Sequence, residues 1–360
     1  MNDTKLHLTP FWKKKEIVSK VFESVSYEMK LKNSSENLAR SGHCAVILHQ
    51  GYLVMFGGYN NFKCKSDLYL LDLQELPDIN IKNKYKRINF QTSFLDTSLL
   101  PKLASSSICC HPYKNIVYIF GGSGQTWGMS NSDDFIIIDF DKKQYYTHNT
   151  REKGGPPPSY GTTINFWNHN LFVFGGTNGT NFFNHVYQYD LTEKTWKLMD
   201  TSGRLPKSRY KHDSFIYQDH LYIMNGGQQE PFDELLELYR LNLLTFLWEK
   251  LDLQSDVPKN MIACSSVFDP VNKVVWIFGG RLANTTKSNC LYKINLDTLE
   301  CNKIQCENNY KIIDAYLTNT ESELEGREFH SCNLYKNNLI CIGGSTGSVR
   351  LNSLLVFYLF

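Results

Sequence analysis

The sequence predicts an all-β fold built from six similar units, and three observations lead to this prediction. A Gly-Gly pair follows a short apolar run six times along the 360-residue chain. These runs are rich in β-branched and aromatic residues, which is typical of strands that are buried on both faces. Aromatic residues make up 14% of the chain, including 21 Tyr and 22 Phe, and they favour strands over helices.

The Gly-Gly pairs set the length of the unit. Successive pairs are 64, 54, 51, 53 and 64 residues apart. The pairs are Gly57-Gly58, Gly121-Gly122, Gly175-Gly176, Gly226-Gly227, Gly279-Gly280 and Gly343-Gly344. We expect the glycines to allow a tight turn where a Cβ would collide with a neighbouring backbone. This spacing indicates one repeat architecture rather than the two or three domains that ~150 residues per domain would suggest.

Three further strands complete each unit. One strand follows each pair and closes on a polar residue and then an apolar one in five copies, as in Asp190-Leu191. The next strand carries Trp196 or Trp248 in two copies. The remaining strand opens the unit, and Arg-x-x-His marks its start at Arg40, Arg209 and Arg327. The equivalent positions in the other copies are Ala104 and Ser107, Ser159 and Thr162, and Met261 and Cys264.

Four short strands per unit of about 50 residues, with Gly-Gly in the second and Trp in the fourth, resemble the kelch motif of β-propellers. The resemblance covers Val25 to Phe360 and implies a six-bladed kelch propeller after an N-terminal arm, residues 1–24. The last copy stops at its third strand. We therefore expect Val25–Leu31 to supply the outer strand of the last blade and close the ring, which would remove an unpaired sheet edge.

Two intervals are longer than the others, and their extra residues fall within 74–103 and 306–326. Long loops on a rigid scaffold often carry function. Neutral insertion on a solvated surface is an equally good explanation of both segments.

Composition excludes several classes of protein. The 38 basic and 36 acidic side chains give a formal charge of +2, so no broad field favours nucleic acid or an anionic membrane. Ten cysteines are too dilute for a disulfide scaffold. No apolar run spans a membrane, and no signal-peptide core opens the chain. We expect a monomer of the cytoplasm or nucleus with reduced thiols.

Catalytic and metal motifs give no support for an enzyme. Gly343-x-Ser345-x-Gly347 matches the nucleophile elbow of hydrolases, but that motif needs a strand-to-helix turn, whereas a loop follows here. His43, His212 and His330 recur because the repeat recurs, which favours a structural role over metal binding. The sequence therefore predicts no catalytic residue, no cofactor and no metal site.

The loops after the Gly-Gly pairs are the candidate binding surface, together with the turns that enter each first strand. They combine Asn, Gln, Ser and Thr with aromatic residues and Arg, as recognition surfaces do. In ligand-binding kelch propellers the equivalent loops surround the mouth of the central channel. The candidate partner-binding residues are Arg40, Arg209, Arg327, Arg281, Arg350, Tyr59, Trp127, Phe182 and Gln228.

A ring of guanidinium groups would favour an acidic peptide or a chain-terminal carboxylate. For Arg40, Arg209 and Arg327 an equally good explanation is that they tie the blades together through carbonyls and acidic neighbours.

These observations predict a non-enzymatic module that binds a partner protein or peptide on the loop face. The chain is similar to kelch-only proteins, since the repeats leave no room for a BTB or F-box module. One alternative is a ubiquitin-ligase substrate receptor that reads C-terminal peptides, although the kelch subgroup with that role carries an adaptor-binding helix after the propeller and this chain ends with the propeller. The other alternative is an actin- or cytoskeleton-binding protein.

Overall fold

The fold is a closed ring of six small sheets, in which the strands are antiparallel except for Ser202–Gly203 and Gln254–Ser255, which pair in parallel with an outer strand. The computed structural model describes residues 13–16, 39–60, 62–73, 91–92, 100–304, 310–314 and 324–359. In these ranges the chain forms strands and loops without an α-helix, and a 3-10 turn spans Arg151–Lys153. The six-bladed propeller that the repeats predict is confirmed.

Each blade runs from an inner strand beside the central axis to an outer strand at the rim. The chain begins with β1 (Lys13–Glu16), which belongs to the sheet of blade 2; blade 1 contains β2 (Cys44–Ile47), β3 (Tyr52–Phe56), β4 (Tyr59–Asn60), β5 (Lys63–Cys64), β6 (Leu68–Asp72) and β7 (Gln91–Thr92), and blade 2 contains β8 (Ser107–Cys110), β9 (Ile116–Phe120), β10 (Asp134–Asp139) and β11 (Gln144–Asn149). Blade 3 contains β12 (Thr163–Trp167), β13 (Asn170–Phe174), β14 (Val186–Asp190) and β15 (Thr195–Leu198), and blade 4 contains β16 (Ser202–Gly203), β17 (Asp213–Tyr217), β18 (His220–Met224), β19 (Leu238–Asn242) and β20 (Leu247–Leu251). Blade 5 contains β21 (Gln254–Ser255), β22 (Ser265–Asp269), β23 (Val274–Phe278), β24 (Leu291–Asn295) and β25 (Glu300–Ile304), and blade 6 contains β26 (Tyr310–Asp314), β27 (Ser331–Tyr335), β28 (Asn338–Ile342) and β29 (Ser353–Tyr358).

The inner strands surround the axis in chain order, and β27 of blade 6 packs against β2 of blade 1. A circle of six backbone hydrogen bonds joins these blades where the inner strands begin. Its N–H to O=C bonds are Gly42 to Phe329 (2.9 Å), Ser105 to Gly42 (2.6 Å), Gly161 to Ser105 (2.9 Å), Lys211 to Gly161 (2.9 Å), Ala263 to Lys211 (3.1 Å) and Phe329 to Ala263 (2.8 Å). All six residues are left-handed, with φ between 51° and 65°. The first bond joins the last blade to the first, so the ring is closed.

A second circle explains the repeated glycines. One glycine of each pair donates its N–H to a carbonyl at the start of the next blade: Gly58 to Leu103 (2.8 Å), Gly122 to Ser159 (2.9 Å), Gly176 to Arg209 (2.8 Å), Gly226 to Met261 (2.7 Å), Gly280 to Arg327 (2.8 Å) and Gly344 to Arg40 (2.8 Å). The first residue of the pair lies close to the same carbonyl. In blade 2, for example, a Cβ added to Gly121 would be 2.4 Å from Ser159 O. The close backbone approach expected from the sequence is therefore present.

The same hydrogen bonds correct the repeat register in two blades. In blade 4 Asn225, at φ 59°, occupies the position of the first glycine, so the structural pair is Asn225-Gly226 rather than Gly226-Gly227. Asn tolerates the left-handed region better than most residues, which allows this exchange. In blade 2 the carbonyl that matches Arg40 belongs to Leu103, so the equivalent positions are Leu103 and Ser106 rather than Ala104 and Ser107.

In the described residues, one of the two long segments supplies the outer strand of blade 6. Tyr310–Asp314 pairs antiparallel with Ser353–Tyr358 and takes the outer position, so one of the two long segments completes a blade. Val25–Leu31, which we expected at this position, lies outside the described residues. In the N-terminal arm, Lys13–Glu16 pairs with the outer strand Gln144–Asn149 of blade 2.

Six apolar clusters form the core, one between each pair of neighbouring blades. Trp196 of blade 3 lies 5.4 Å between ring centroids from Phe135 of blade 2. Trp248 of blade 4 lies 5.5 Å from Phe174 of blade 3. The repeated Trp thus packs its blade onto the preceding one, which makes the ring rigid and fixes the loops above it.

Candidate functional site

The three arginines of the Arg-x-x-His pattern are buried inside the blades. Arg40, Arg209 and Arg327 are 1%, 0% and 2% exposed. In each case Nη1 donates to the carbonyl of the residue in the first glycine position of the same blade, namely Gly57 (3.1 Å), Asn225 (2.8 Å) and Gly343 (3.2 Å). Burial removes these three guanidinium groups from the loop face where the sequence placed them.

Further partners satisfy these arginines. Arg40 lies 3.6 Å from a carboxylate oxygen of Asp67 and stacks over Tyr69. Arg209 lies 3.4 Å from Glu237. The arginines thus bind carbonyls and acidic neighbours, as the alternative expected, but these contacts lie within one blade and do not tie two blades together.

Two of the three recurring histidines form hydrogen bonds between neighbouring blades. Nε2 of His43 lies 2.9 Å from Ser331 Oγ, and Nε2 of His212 lies 3.0 Å from Thr163 Oγ1. Burial, with a smaller contribution from the adjacent arginine, lowers the pKa of His43 and of His212 to about 3. The rings are therefore neutral at physiological pH. Among the residues that the structure describes, no group of three or more His, Cys, Asp or Glu side chains is arranged to hold a metal ion.

The central channel opens at the loop face into a cavity of about 110 Å³. It is lined by the third and fourth residues of the six Arg-x-x-His positions: Gly42, His43, Ser105, Ser106, Gly161, Thr162, Lys211, His212, Ala263, Cys264, Phe329 and His330. Lys211 is the charged residue among the six third positions. The repeat therefore places a single ammonium group at the centre of the mouth.

Lys211 lies among aromatic rings from three blades. Its Nζ is 4.1 Å from the ring centroid of Phe329, 4.7 Å from that of Tyr210 and 5.8 Å from that of Trp127. It forms no ion pair with any described residue. Burial, which outweighs the opposing charge of Glu328, lowers its pKa from 10.5 to about 7. Sequence reasoning missed Lys211 because it looked only at the first and fourth positions of the pattern.

The other charged groups at the mouth largely neutralise one another. Arg281 Nη1 lies 2.8 Å from Glu230, and its Nε lies 3.3 Å from Glu328. Lys287 also lies 3.7 Å from Glu328. Arg281 is thus on the predicted face, but two carboxylates already engage its guanidinium group.

Side-chain contacts join neighbouring loops around the whole mouth. Gln125 of blade 2 donates to Phe62 O of blade 1 (2.6 Å), and Asn131 donates to Asn178 O of blade 3 (2.6 Å). Phe182 packs on Tyr210 with centroids 5.3 Å apart, and Arg350 stacks over Tyr59 at 5.3 Å. The loops therefore form one continuous surface rather than six separate ones.

Exposed apolar side chains gather on one part of this surface. Phe62, Trp127, Met129 and Val349 are 85%, 44%, 84% and 57% exposed, and they belong to the loops of blades 1, 2 and 6. Gln228, in the loop of blade 4, is exposed on the other side of the mouth. Of the predicted residues, Tyr59, Trp127, Phe182, Gln228, Arg281 and Arg350 thus belong to the loop face, with Lys211 at its centre.

Comparison with known proteins agrees with this architecture. A sequence profile of the KLHDC2/KLHL20/DRC7 Kelch-repeats domain matches residues 82–259 and 226–359. The chain belongs to this kelch-repeat family. Kelch propellers serve as protein-interaction modules, which agrees with the continuous loop surface. None of the described helical segments has the length and apolar character needed to cross a membrane.

Several kelch proteins are similar in sequence. Kelch domain-containing protein 10 of Homo sapiens is 28% identical over 277 residues, which cover 74% of this chain and 60% of that protein. Its Drosophila melanogaster homolog is 27% identical over 61% of this chain and 37% of that protein. Acyl-CoA-binding domain-containing protein 5 of Arabidopsis thaliana is 26% identical over 72% of this chain and 39% of that protein. The chain therefore matches less than two thirds of the length of these relatives.

Proposed function

We propose that this kelch propeller is a non-enzymatic module that binds a segment of a partner protein on its loop face, centred on Lys211. The observation that carries this proposal is an ammonium group at the centre of the mouth that has no ion pair with the described residues and lies 5.8 Å from the exposed ring of Trp127. Exposed aromatic residues beside a charged group are typical of binding hot spots.

The charges at the mouth favour an acidic partner segment. Glu230 and Glu328 are already paired with Arg281 and Lys287. The ammonium group of Lys211 at the centre and the guanidinium group of Arg350 at the side of the mouth are therefore the cations that a ligand can still neutralise. A carboxylate on Lys211 would form a charge-assisted bond in a partly desolvated site, where such bonds are strong. The ligand that fits best therefore carries a carboxylate next to an apolar side chain.

A random peptide library selected on the purified chain tests this proposal. We expect enrichment of Asp or Glu next to bulky apolar residues. Trp127→Ala should weaken binding of a selected peptide by roughly tenfold or more, as hot-spot truncations do. Val271→Ser is the matched control, because Val271 is 86% exposed in the turn between the two inner strands of blade 5, on the opposite face. Equal losses in both variants would refute a site on the loop face.

A second candidate function is a ubiquitin-ligase substrate receptor that reads a C-terminal carboxylate. The match to a kelch family that includes KLHDC2 supports it, and Lys211 is placed to contact either a side-chain or a terminal carboxylate. Amidation of the C-terminus of a selected peptide distinguishes recognition of a terminal carboxylate from recognition of a side-chain carboxylate. Loss of binding would support terminal recognition, and retained binding would support an internal acidic residue. Co-purification with a cullin adaptor would test membership of a ligase directly.

A further inference from the structure

Two cysteines face each other within blade 6. Cys332 on β27 and Cys341 on β28 are direct partners in the antiparallel register. Their Sγ atoms are 2.7 Å apart. This is closer than non-bonded sulfur atoms normally approach, and only a small adjustment separates it from the ~2.05 Å of a disulfide bond.

The backbone at this pair is suited to a cross-strand disulfide. The N–H of Cys332 does not take part in the ladder with β28, because it donates to Ser265 Oγ of blade 5 at 2.8 Å. Cys332 and Cys341 are therefore a non-hydrogen-bonded pair. In such pairs the Cα atoms are ~4.5 Å apart, at the short end of the range that a disulfide can bridge.

We propose that Cys332 and Cys341 are an oxidation site at which a hydroperoxide forms a cross-strand disulfide. The thiolate of Cys332 attacks one peroxide oxygen, the O–O bond breaks, and a sulfenic acid forms with release of hydroxide or alkoxide. Sγ of Cys341 then attacks the sulfenic sulfur, an S–S bond forms, and its proton leaves with the hydroxyl as water. Two thiols lose two electrons in total, and the two peroxide oxygens gain them.

Burial sets the order and the rate of these steps. Cys341 is 0% exposed and Cys332 is 7% exposed, so the peroxide reaches Cys332 first. Burial, followed by the contact with Cys341, raises the pKa of Cys332 well above its usual value. Oxidation is therefore slow at neutral pH, and we expect it to accelerate as the pH rises, because the thiolate is the reacting form.

The cross-link would act directly below the loop face. Phe329 and Glu328 of the channel mouth precede Cys332 by three and four residues, and the Gly343-Gly344 pair follows Cys341. A disulfide would join β27, which Glu328 and Phe329 directly precede, to β28, which leads into the loop of blade 6. The site is independent of the partner that the loop face binds.

Peptide mapping after treatment with hydrogen peroxide tests the proposal on the full chain. Trypsin cleaves after Lys336, so Cys332 and Cys341 fall in separate peptides, residues 328–336 and 337–350. We expect these peptides to appear joined, with a mass two hydrogen atoms below their sum, and to separate again on reduction. Accessible thiols are blocked with N-ethylmaleimide before the protein is unfolded. Thiols that become exposed on unfolding are blocked by a second addition of the reagent.

Two comparisons make the result decisive. Cys290 is partly exposed and reports that the peroxide dose was sufficient. Cys301 is a buried cysteine that contacts no other cysteine among the described residues. In Cys341→Ser we expect dimedone to trap a sulfenic acid on Cys332, with no linked peptide. Recovery of both wild-type cysteines in blocked form after full oxidation of Cys290 would overturn the proposal. Oxidation of Cys332 to a sulfinic acid without the linked peptide would overturn it equally.

Discussion

Arg209 shows at the scale of one residue how the repeat uses a buried charge. Its guanidinium group donates to Asn225 O and Lys207 O and lies 3.4 Å from Glu237. Arg209→Met would leave the two buried carbonyls without their donor, whereas Glu237 would keep Lys250 (2.7 Å) and Tyr239 as partners. We expect the free energy of unfolding in urea to fall by about 2–4 kcal/mol, since a buried carbonyl left without a donor costs about 1–3 kcal/mol.

Arg240→Ala in the same blade is the control for this variant. Its ion pair with Glu249 lies at the surface, with side chains 35% and 49% exposed. We expect its loss to cost no more than about 1 kcal/mol. If Arg209→Met were as stable as Arg240→Ala, the structural role of the buried arginine would be wrong.

Lys211 is expected to lower stability in favour of binding. Because the folded-state pKa is about 7 against 10.5 unfolded, the folded state binds fewer protons between these values. The cost of burying the ammonium group is complete below pH 7 and fades as pH rises towards 10.5. Lys211→Met should raise the free energy of unfolding at pH 6 by roughly 0.5–2 kcal/mol, a common range for a single stabilising substitution.

The same change should have a much smaller effect on stability near pH 10, where the folded wild type is already neutral at Lys211 and the unfolded state is beginning to lose the charge. Urea denaturation of wild type and Lys211→Met at pH 6, 8 and 10 measures this trend. The neighbouring charges Glu328, Arg281 and Glu230 remain in both proteins, so they cancel in the difference. A difference that grows with pH would contradict the assignment.

The sequence predicted that arginine and histidine recur, but it left open where their side chains point. Burial of Arg40, Arg209 and Arg327 depends on the carbonyls of the glycine positions, which only the folded blade brings within reach. A usable signal for Lys211 was present: its equivalents in the other blades are Gly, Ser, Gly, Ala and Phe, so a Lys there is unusual.

At the scale of the element, the Gly-Gly turn can be tested with a matched pair of glycines. Gly121 and Gly154 have φ of 63° and 73°, so Ala is strained by about 1–2 kcal/mol at either position. A Cβ on Gly121 would lie 2.4 Å from Ser159 O, whereas a Cβ on Gly154 meets no atom within 4 Å. Thermal unfolding should therefore show a clearly larger loss for Gly121→Ala. Equal losses would show that backbone conformation alone requires the glycine.

The outer strand of blade 6 gives a second prediction at this scale. Replacing Tyr310–Asp314 with a Gly-Ser segment of equal length would unpair the edge of Ser353–Tyr358. We expect a lower melting temperature and more light scattering on heating, because an apolar open edge promotes aggregation. The same replacement of Lys13–Glu16 should matter less, since blade 2 keeps four other strands without it. The reverse order would contradict the assignment of the blade edge.

Inner and outer strands differed in how well the sequence predicted them. The second strands are continuous apolar runs beside glycine, as in Leu171–Phe174, and their pattern was unambiguous. Outer strands such as Thr195–Leu198 are largely exposed and lack such a run. The sequence pattern likewise did not mark Gln91–Thr92 or Tyr310–Asp314 as strands. The register error in blade 4 has a similar origin, because Asn225 takes the left-handed conformation that the sequence pattern assigned to glycine.

For the whole molecule, closure by two circles of hydrogen bonds makes the propeller a rigid platform for its loops. The repeat length predicted the six blades, and the closed inner ring confirms them. The loop face could be located from the sequence because the loops follow the glycine pairs. Its charge balance could not be predicted, because Arg281, Glu230 and Glu328 come together from three different blades.

Hydrogen–deuterium exchange of the full chain, with and without a selected acidic peptide, tests the central claim most directly. A ligand on the loop face should slow exchange in residues 123–131, 209–212 and 326–330, which surround Lys211. It should leave the turns 111–116 and 269–274 on the opposite face unchanged. Protection of those turns, with none around Lys211, would contradict a binding site at the mouth of the channel.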